Sequence, residues 1–89
     1  MEIEFDPDKD RINRMKHGIS LATAADIDLD AATVIEDQRI DYGEPRFLAY
    51  APIGGRLCVL CFTMRGAVVR AIGLRKANRR ERRRYAQTT

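Results

Sequence analysis

The feature that most constrains this fold is a run of mainly apolar residues, Leu57 to Thr63, with a tight-turn signal on each side. Gly54-Gly55 precedes the run and is typical of a β-hairpin, and Arg65-Gly66 follows it. A strand that is apolar at nearly every position is covered on both faces, so we predict that this run is a central strand. The segments on either side then fold back as antiparallel neighbours.

These neighbouring segments predict a meander of four strands. Thr33 to Ile35 predicts the first strand, and a polar turn near residues 41–45 follows it. Phe47 to Ile53 forms the second strand, the apolar run the third, and Val68 to Leu74 the fourth. A further short strand is predicted at Glu2–Phe5, where polar and apolar residues alternate.

Two helices are predicted between the short strand and the meander. Asp6 suits an N-cap and Pro7 suits the first helical position, where its missing N–H costs no hydrogen bond. Gly18 suits a left-handed C-cap, and Ser20 then caps a second short helix. The predicted fold class is therefore α+β: a small antiparallel sheet, two N-terminal helices and one basic C-terminal helix.

The length of 89 residues and the apolar content of 45% predict one folded domain, residues 1–89. No apolar run approaches the roughly 20 residues that span a bilayer, so no membrane partner is predicted. The start of the chain, Met1 to Asp6, is acidic, whereas a signal peptide starts with basic and then apolar residues. Two cysteines are too few for a disulfide framework, and these features together predict a cytoplasmic location.

Two spacings that suggest metal sites are rejected. Cys58 and Cys61 lie on a predicted strand, where residues three apart point to opposite faces, and no second cysteine pair completes a zinc site. The acidic run 26–30 resembles the start of a calcium loop, yet Ala31 replaces the required glycine and Asp37 the required glutamate. No metal and no cofactor is predicted.

Charge is divided unevenly between the two halves of the chain. Residues 1–45 carry five basic and twelve acidic side chains, which gives −7, and residues 46–89 carry eleven basic and one acidic, which gives +10. Arginine provides thirteen of the sixteen basic residues, and its planar group grips phosphates and carboxylates with two hydrogen bonds. This pattern indicates a nucleic-acid-binding surface; the alternative is that the acidic half folds back and neutralises the basic half.

The C-terminal helix has no apolar stripe. Asn78 and Glu81 have the spacing of a capping box, and the six residues 79–84 contain five arginines. Like charges three or four positions apart destabilise a helix, so we expect this one to have an anionic partner, either RNA or an acidic protein surface. Tyr85 is the one side chain suited to anchor it. The alternative is a solvated tail.

Five segments together resemble the BrnT family across nearly the whole chain. They are FDPDK at 5–9, KHGIS at 16–20, EPRF at 44–47, GRL at 55–57 and IGLRKANRRERRRY at 72–85. The resemblance implies a toxin of a type II toxin–antitoxin system with a RelE-like fold. It also implies a metal-independent ribonuclease that inhibits translation.

The same resemblance implies the partners. They are RNA and a ribbon-helix-helix antitoxin similar to BrnA, which neutralises the toxin and connects it to operator DNA. Two alternatives of other classes stay open. One is a non-catalytic module of the same fold that binds nucleic acid or protein, as a decayed toxin would. The other is a subunit that acts only within a partner complex.

Metal-free RNA cleavage uses the adjacent 2′-hydroxyl as nucleophile and needs a proton acceptor, a proton donor and positive charge at the phosphorane. Arg75 is the first choice for that charge, because this arginine recurs in the family pattern and lies between the last strand and the basic helix. Regular alternation places Arg70 on the face of Ile72 and Leu74. Arg70 is the second catalytic candidate: there it either lines the RNA site or extends from a sheet edge into solvent.

Proton transfer has two further candidates. His17 is the only histidine, the residue type that most often moves protons near neutral pH; alternatively, it complements a helix dipole together with Lys16. Tyr85 either stacks on a base, acts as a weak acid or only anchors the last helix. Glu81 could accept a proton, but its capping position explains it. The residues predicted to bind RNA are Lys16, Lys76, Arg79, Arg80, Arg82 and Arg83.

Overall fold

The structure, a computed structural model, describes residues 2–88, which form a five-stranded sheet and three helices. The elements are β1 (Ile3–Glu4), α1 (Pro7–His17), a 3₁₀ helix (Leu21–Asp26), β2 (Thr33–Glu36), β3 (Phe47–Ile53), β4 (Arg56–Arg65), β5 (Val68–Lys76) and α2 (Arg79–Thr88). The strand order is β1-β5-β4-β3-β2, so β4 is central, as predicted.

The sheet is mixed, and the prediction of a purely antiparallel sheet is wrong at one strand. β2 to β5 form the expected antiparallel meander. β1 instead pairs in parallel with β5, with Ile3 opposite Val69. The backbone N–H of Val69 donates to the carbonyl of Glu2 at 2.9 Å, so β1 covers part of the β5 edge that would otherwise expose unpaired backbone groups.

The helix ends follow the local sequence signals. The Asp6 carboxylate accepts the backbone N–H of Asp8 at 2.9 Å, and Gly18 takes the left-handed conformation with a φ of 71°. The Ser20 hydroxyl accepts the backbone N–H of Ala22 at 3.1 Å. The short second helix is a 3₁₀ helix, a form that is common in pieces of this length. Within residues 2–88, no helix is both long and apolar enough to cross a membrane.

The core lies between the 3₁₀ helix and one face of the sheet, which we call the inner face. Ala49, Leu60 and Leu74 are paired across β3, β4 and β5 and have no exposed surface. Leu21 and Ala24 of the 3₁₀ helix pack against this row. On the opposite, outer face, Val59 and Thr63 are only 2% exposed, so β4 is covered on both faces.

Helix α1 is fixed to the sheet by a polar residue. Asn13 is buried, and its carboxamide accepts the backbone N–H of Leu74 at 3.0 Å and donates to the Leu74 carbonyl at 2.8 Å. It also donates to the Ile19 carbonyl at 2.8 Å. Ile12 and Met15, the apolar pair on this helix, are 44% and 78% exposed. Asn13 thus pairs with the β5 edge beyond the end of β1, and it forms hydrogen bonds with both backbone groups of Leu74.

Candidate functional site

A β-bulge determines which side chains of β5 reach the outer face. Cys61 lies opposite Gly73 and Phe62 lies opposite Ala71, so Ile72 is an extra residue on β5. Arg70 therefore lies opposite Thr63 and shares the outer face with Gly73 and Arg75. The prediction that Arg70 shares a face with Leu74 is wrong, because it assumed unbroken alternation along β5.

Three neighbouring cross-strand rows of the outer face carry the candidate residues. The first row holds Tyr50, Val59 and Arg75, and the third contains Thr63 and Arg70. Between them lies a row that includes Leu48, Cys61 and Gly73. Because Gly73 has no side chain, it adds no bulk to the middle of this face.

Arg75 is tied to α2 by an ion pair with Glu81. The two Arg75 Nη atoms donate to the Glu81 carboxylate at 2.7 and 2.9 Å. These bonds hold the pKa of the Glu81 carboxyl below its ordinary value and raise that of Arg75. The Arg75 side chain is 37% exposed, so it remains accessible to a ligand.

The predicted capping box starts α2. Glu81 N–H donates to the Asn78 side chain at 2.8 Å, and Asn78 N–H donates to the Glu81 carboxylate at 2.9 Å. The same carboxylate thus holds Arg75 and caps the helix, and it accepts at least three hydrogen bonds. Such a carboxylate is a weak proton acceptor, because each bond favours its ionised form.

Tyr85 lies where α2 meets the sheet. A cleft of about 210 Å³ separates this end of α2 from β2 and β3. Its lining residues are Thr33, Ile35, Tyr50, Glu81, Arg84 and Tyr85. Burial raises the pKa of the Tyr50 hydroxyl. Tyr85 is half-buried, so it contributes to anchoring α2 and also faces a largely apolar space beside the Arg75–Glu81 pair.

At the opposite end of the outer face, Arg70 pairs with a residue of the acidic half. Its Nη1 lies 3.4 Å from the Glu4 carboxylate, and its side chain is 31% exposed. Arg65 and Glu44 form a second pair between the halves at 3.6 Å. Within residues 2–88 these are the two ion pairs that join the halves. The acidic half therefore neutralises the basic half only locally.

The segment 37–46, between β2 and β3, is organised around Asp37, which is 6% exposed. Its carboxylate accepts the Arg39 Nε–H and Nη2–H, both at 2.8 Å, and the Tyr42 hydroxyl at 2.9 Å. These bonds lower the pKa of Asp37 far below its usual range. The Arg46 guanidinium stacks on the Tyr42 ring, with its Cζ 4.2 Å from the ring centroid.

His17 and Lys16 end α1 beside the middle of β5. Both are exposed, and they line an open depression together with Ile72 and Gly73. Gly73 precedes Arg75 by two residues on the outer face. The structure thus brings the histidine close to the strand that carries Arg70 and Arg75.

The predicted RNA-binding arginines of α2 are exposed to solvent, as is Lys76. Arg82 donates to the Ala77 carbonyl at 3.0 Å. Within the described part of the chain, Arg79, Arg80 and Arg83 form no ion pair. The helix therefore presents unneutralised positive charge next to Arg75.

The two cysteines lie on opposite faces of β4. Cys58 belongs to the inner-face core, and Cys61 lies in the middle row of the outer face. Burial raises the pKa of both thiols. Between residues 2 and 88, no group of three or more histidine, cysteine, aspartate or glutamate side chains is placed to hold a metal ion.

Sequence reasoning missed the contribution of segment 37–46 to the outer face. Arg46 and Lys9 line a cavity with Arg70, although the three residues are far apart in the sequence. The sequence signal for this region is the EPRF segment at 44–47, which contains Arg46.

Comparisons with known proteins identify the family. A family model described as the ribonuclease toxin, BrnT, of a type II toxin–antitoxin system matches residues 5–81. The fold is similar to the 1.1 Å crystal structure of the ribonuclease toxin BrnT of Brucella abortus, with a TM-score of 0.70 and 24% identity over 89% of this chain and 99% of that chain. A comparison with curated proteins finds no match. Because the family model spans most of its length, this chain belongs to the BrnT family of ribonuclease toxins of type II toxin–antitoxin systems.

Proposed function

We propose that this chain is a toxin that cleaves RNA internally without a metal ion. The 2′-hydroxyl oxygen attacks the neighbouring phosphorus and loses its proton, the bond from phosphorus to the 5′-oxygen breaks, and that oxygen takes up a proton. The products carry a 2′,3′-cyclic phosphate and a 5′-hydroxyl. The observation that carries this proposal is the bulge at Ile72, which puts Arg70 and Arg75 on the same face as the arginine-rich helix.

Arg75 is proposed to stabilise the charge that develops on the phosphorane. Its guanidinium has five N–H donors, and Glu81 takes two of them. The ion pair fixes the orientation of the group and leaves other donors for phosphate oxygens. A fixed donor aimed at developing charge contributes more to the rate than a mobile one, because it needs no reorganisation during the reaction.

Proton transfer is proposed for His17 and Tyr85. Glu81 is a poor acceptor because its lowered pKa and its hydrogen bonds favour the ionised form. His17 lies beside Gly73 on one side of the face, and Tyr85 lies beside the Arg75–Glu81 pair on the other. The two side chains therefore flank the region where the phosphate would lie.

The remaining proposals concern the cell. The toxin acts in the cytoplasm and inhibits translation by cleaving RNA, and its fold is of the RelE type. A ribbon-helix-helix antitoxin similar to BrnA neutralises it by covering the arginine-rich surface, and the complex reaches operator DNA only through the antitoxin. Arg79, Arg80 and Arg83 of α2 are exposed and form no ion pair among the described residues. This supports an acidic partner, whose affinity for the toxin should fall with added salt.

The test is cleavage of RNA by the purified chain in the presence of EDTA, with the product ends identified as cyclic phosphates. Arg75→Ala should lower the rate by about a hundredfold or more, the range seen when one charge-stabilising donor is removed. Arg11→Ala is the matched control, because Arg11 is exposed on α1 and forms no ion pair among the described residues.

Each outcome separates the alternatives. Cleavage that Arg75→Ala leaves unchanged would show that the assigned site is wrong. RNA binding without any cleavage would support the non-catalytic module of the same fold. Cleavage that EDTA abolishes would contradict a metal-independent reaction.

A further inference from the structure

A small cationic cavity lies at the end of the outer face away from Arg75. Its volume is about 160 Å³, well above the roughly 10–15 Å³ that a single water needs. It lies between segment 37–46, helix α1 and strands β4 and β5. The charged residues that line it are Lys9, Glu44, Arg46, Arg65 and Arg70, which give four positive charges against one negative.

The carboxylates near this cavity engage only two of the four cations. Glu44 pairs with Arg65 and Glu4 pairs with Arg70. Among residues 2–88, no carboxylate pairs with Arg46 or Lys9. The Arg46 Nε is buried and has no hydrogen-bond acceptor among the residues that the structure describes. A buried cationic N–H donor without an acceptor lowers the stability of the folded protein unless an anion binds next to it.

Arg46 is held in place before any ligand arrives. Its guanidinium rests on the Tyr42 ring, and the Tyr42 hydroxyl donates to the buried Asp37 carboxylate. The Asp37 N–H donates to the Arg46 carbonyl at 2.7 Å, so segment 37–46 is closed at its base. Less side-chain freedom is then lost when Arg46 binds an anion, and binding is correspondingly tighter.

The position of the cavity relative to Arg75 indicates the kind of anion. Arg70 lies opposite Thr63 and Arg75 lies opposite Val59 on β4. Four residues of strand separate the two rows, about 13 Å at roughly 3.3 Å per residue. One extended polyanion crossing the outer face would therefore meet both rows, whereas a single small anion would meet only one.

We propose that Arg46, together with Lys9 and Arg70, binds a backbone phosphate of the RNA that is not the one being cleaved. This inference rests on the proposed function, because it identifies the substrate as a single RNA strand that crosses the outer face. Arg46 and Arg70 supply forked donors for the phosphate oxygens, and Lys9 supplies a third charge. Tyr42 is a positioning residue that acts through Arg46.

The test measures binding separately from cleavage. The probe is a fluorescent single-stranded oligonucleotide with 2′-O-methyl groups, which lacks the nucleophile and stays intact. Arg46→Ala should weaken its binding about tenfold. The slope of log affinity against log salt should become shallower by about 0.7 for each phosphate that the variant no longer neutralises. Lys9→Ala should change the slope in the same direction, and its side chain is exposed, so folding is not at risk.

Two control variants test whether the loss of binding is specific to the cavity. Arg56→Ala removes an equal charge at the start of β4 outside the cavity, and it should change neither affinity nor slope. Tyr42→Phe keeps the ring but removes the hydrogen bond to Asp37, so it should weaken binding while leaving the salt slope unchanged. A purely structural role for Tyr42 would instead lower only the unfolding midpoint.

The outcomes distinguish this inference from the proposed function. If Arg46→Ala and Lys9→Ala bind the oligonucleotide as the unmodified chain does, the phosphate site is refuted even where RNA is cleaved. If both weaken binding with a shallower slope and RNA is never cleaved, the site stands and the catalytic proposal fails. An acidic peptide that loses affinity on Arg46→Ala while the oligonucleotide does not would show that the cavity binds carboxylates, against the proposal.

Discussion

Arg75 and Glu81 are joined by two hydrogen bonds of 2.7 and 2.9 Å, which tie the end of β5 to the first turn of α2. Glu81 also completes the capping box with Asn78. A helix with five arginines in six positions and no apolar stripe is thus held by one carboxylate and a half-buried tyrosine. The placement of α2, and of the positive charge it carries, therefore depends on Glu81 together with Tyr85.

The first prediction concerns the pH dependence of this pair. The folded-state pKa of Glu81 lies below its ordinary value of 4.5, so its stabilising contribution is complete above that pH and is lost as the pH falls through the lower folded-state value. Glu81→Gln should lower the free energy of unfolding by about 1 kcal/mol at pH 7, a modest figure because solvent screens the partly exposed Arg75. Urea unfolding at pH 7 and pH 3 measures this difference.

The control for that prediction is Glu36→Gln. Glu36 is exposed on β2, and no ion pair to it is present within residues 2–88. Its replacement should leave the unfolding free energy unchanged at both values of pH. If Glu81→Gln costs as much at pH 3 as at pH 7, the loss does not come from an ionised carboxylate.

A second prediction tests the polar attachment of α1. Asn13→Ala removes the partner of both backbone groups of Leu74 and of the Ile19 carbonyl. Leaving buried backbone groups unpaired should reduce the free energy of unfolding by about 2–4 kcal/mol. Chemical denaturation measures the loss, with Arg11→Ala as the exposed control on the same helix. A loss below about 0.5 kcal/mol, the usual effect of a surface substitution, would mean that Asn13 does not hold the β5 edge.

A third prediction separates binding from stability in α2. Arg80 and Arg83 lie three positions apart, and both are exposed. Arg83→Ala relieves repulsion along the helix, so the unfolding midpoint should stay constant or rise slightly. RNA affinity should fall to a similar extent for all sequences, because Arg83 would meet phosphates rather than bases. Fluorescence anisotropy at low and high salt measures the RNA affinity of the variant and of the unmodified chain. Equal affinity of the two at low salt would show that RNA does not contact α2.

A fourth prediction concerns the thiols. Burial raises the pKa of Cys58 and Cys61, so little reactive thiolate is present at pH 7 in the folded protein. Alkylation by iodoacetamide should be slow in buffer and fast in urea, with Cys61 the faster of the two because it is only half-buried. Mass spectrometry of the labelled protein resolves the two sites. Rapid labelling of Cys58 in the folded protein would contradict its place in the core.

Local signals in the sequence predicted the elements and their ends. The turns at Gly54-Gly55 and Arg65-Gly66 separate β3, β4 and β5, and Asp6 and Gly18 bound α1. Capping and turn residues act on backbone groups only a few positions away. They can therefore be recognised in a single sequence without knowledge of the fold. The capping role of Glu81 was predicted in the same way, whereas its pairing with Arg75 needed the fold.

The features that define the candidate site depend on distant parts of the chain. The parallel pairing of β1 with β5 and the burial of Asn13 involve residues more than sixty positions apart. By contrast, the stack of Arg46 on Tyr42 lies within one segment, 37–46, and requires the closure of that segment between Asp37 and Arg46. Whether the named site residues act as proposed stays a prediction, which the cleavage and binding measurements will decide.

The extra residue at position 72 is what allows Arg70 and Arg75, five positions apart, to lie on the same face of β5. If all these residues were kept but the bulge were lost, regular alternation would turn Arg70 toward the side of Ala49 and Leu60, where a guanidinium meets neither water nor acid. Deleting Ile72 would instead remove the bulge and leave Arg70 opposite Thr63. During divergence of such proteins, this stretch can therefore lose one residue only together with its bulge, and either form keeps both arginines on the outer face.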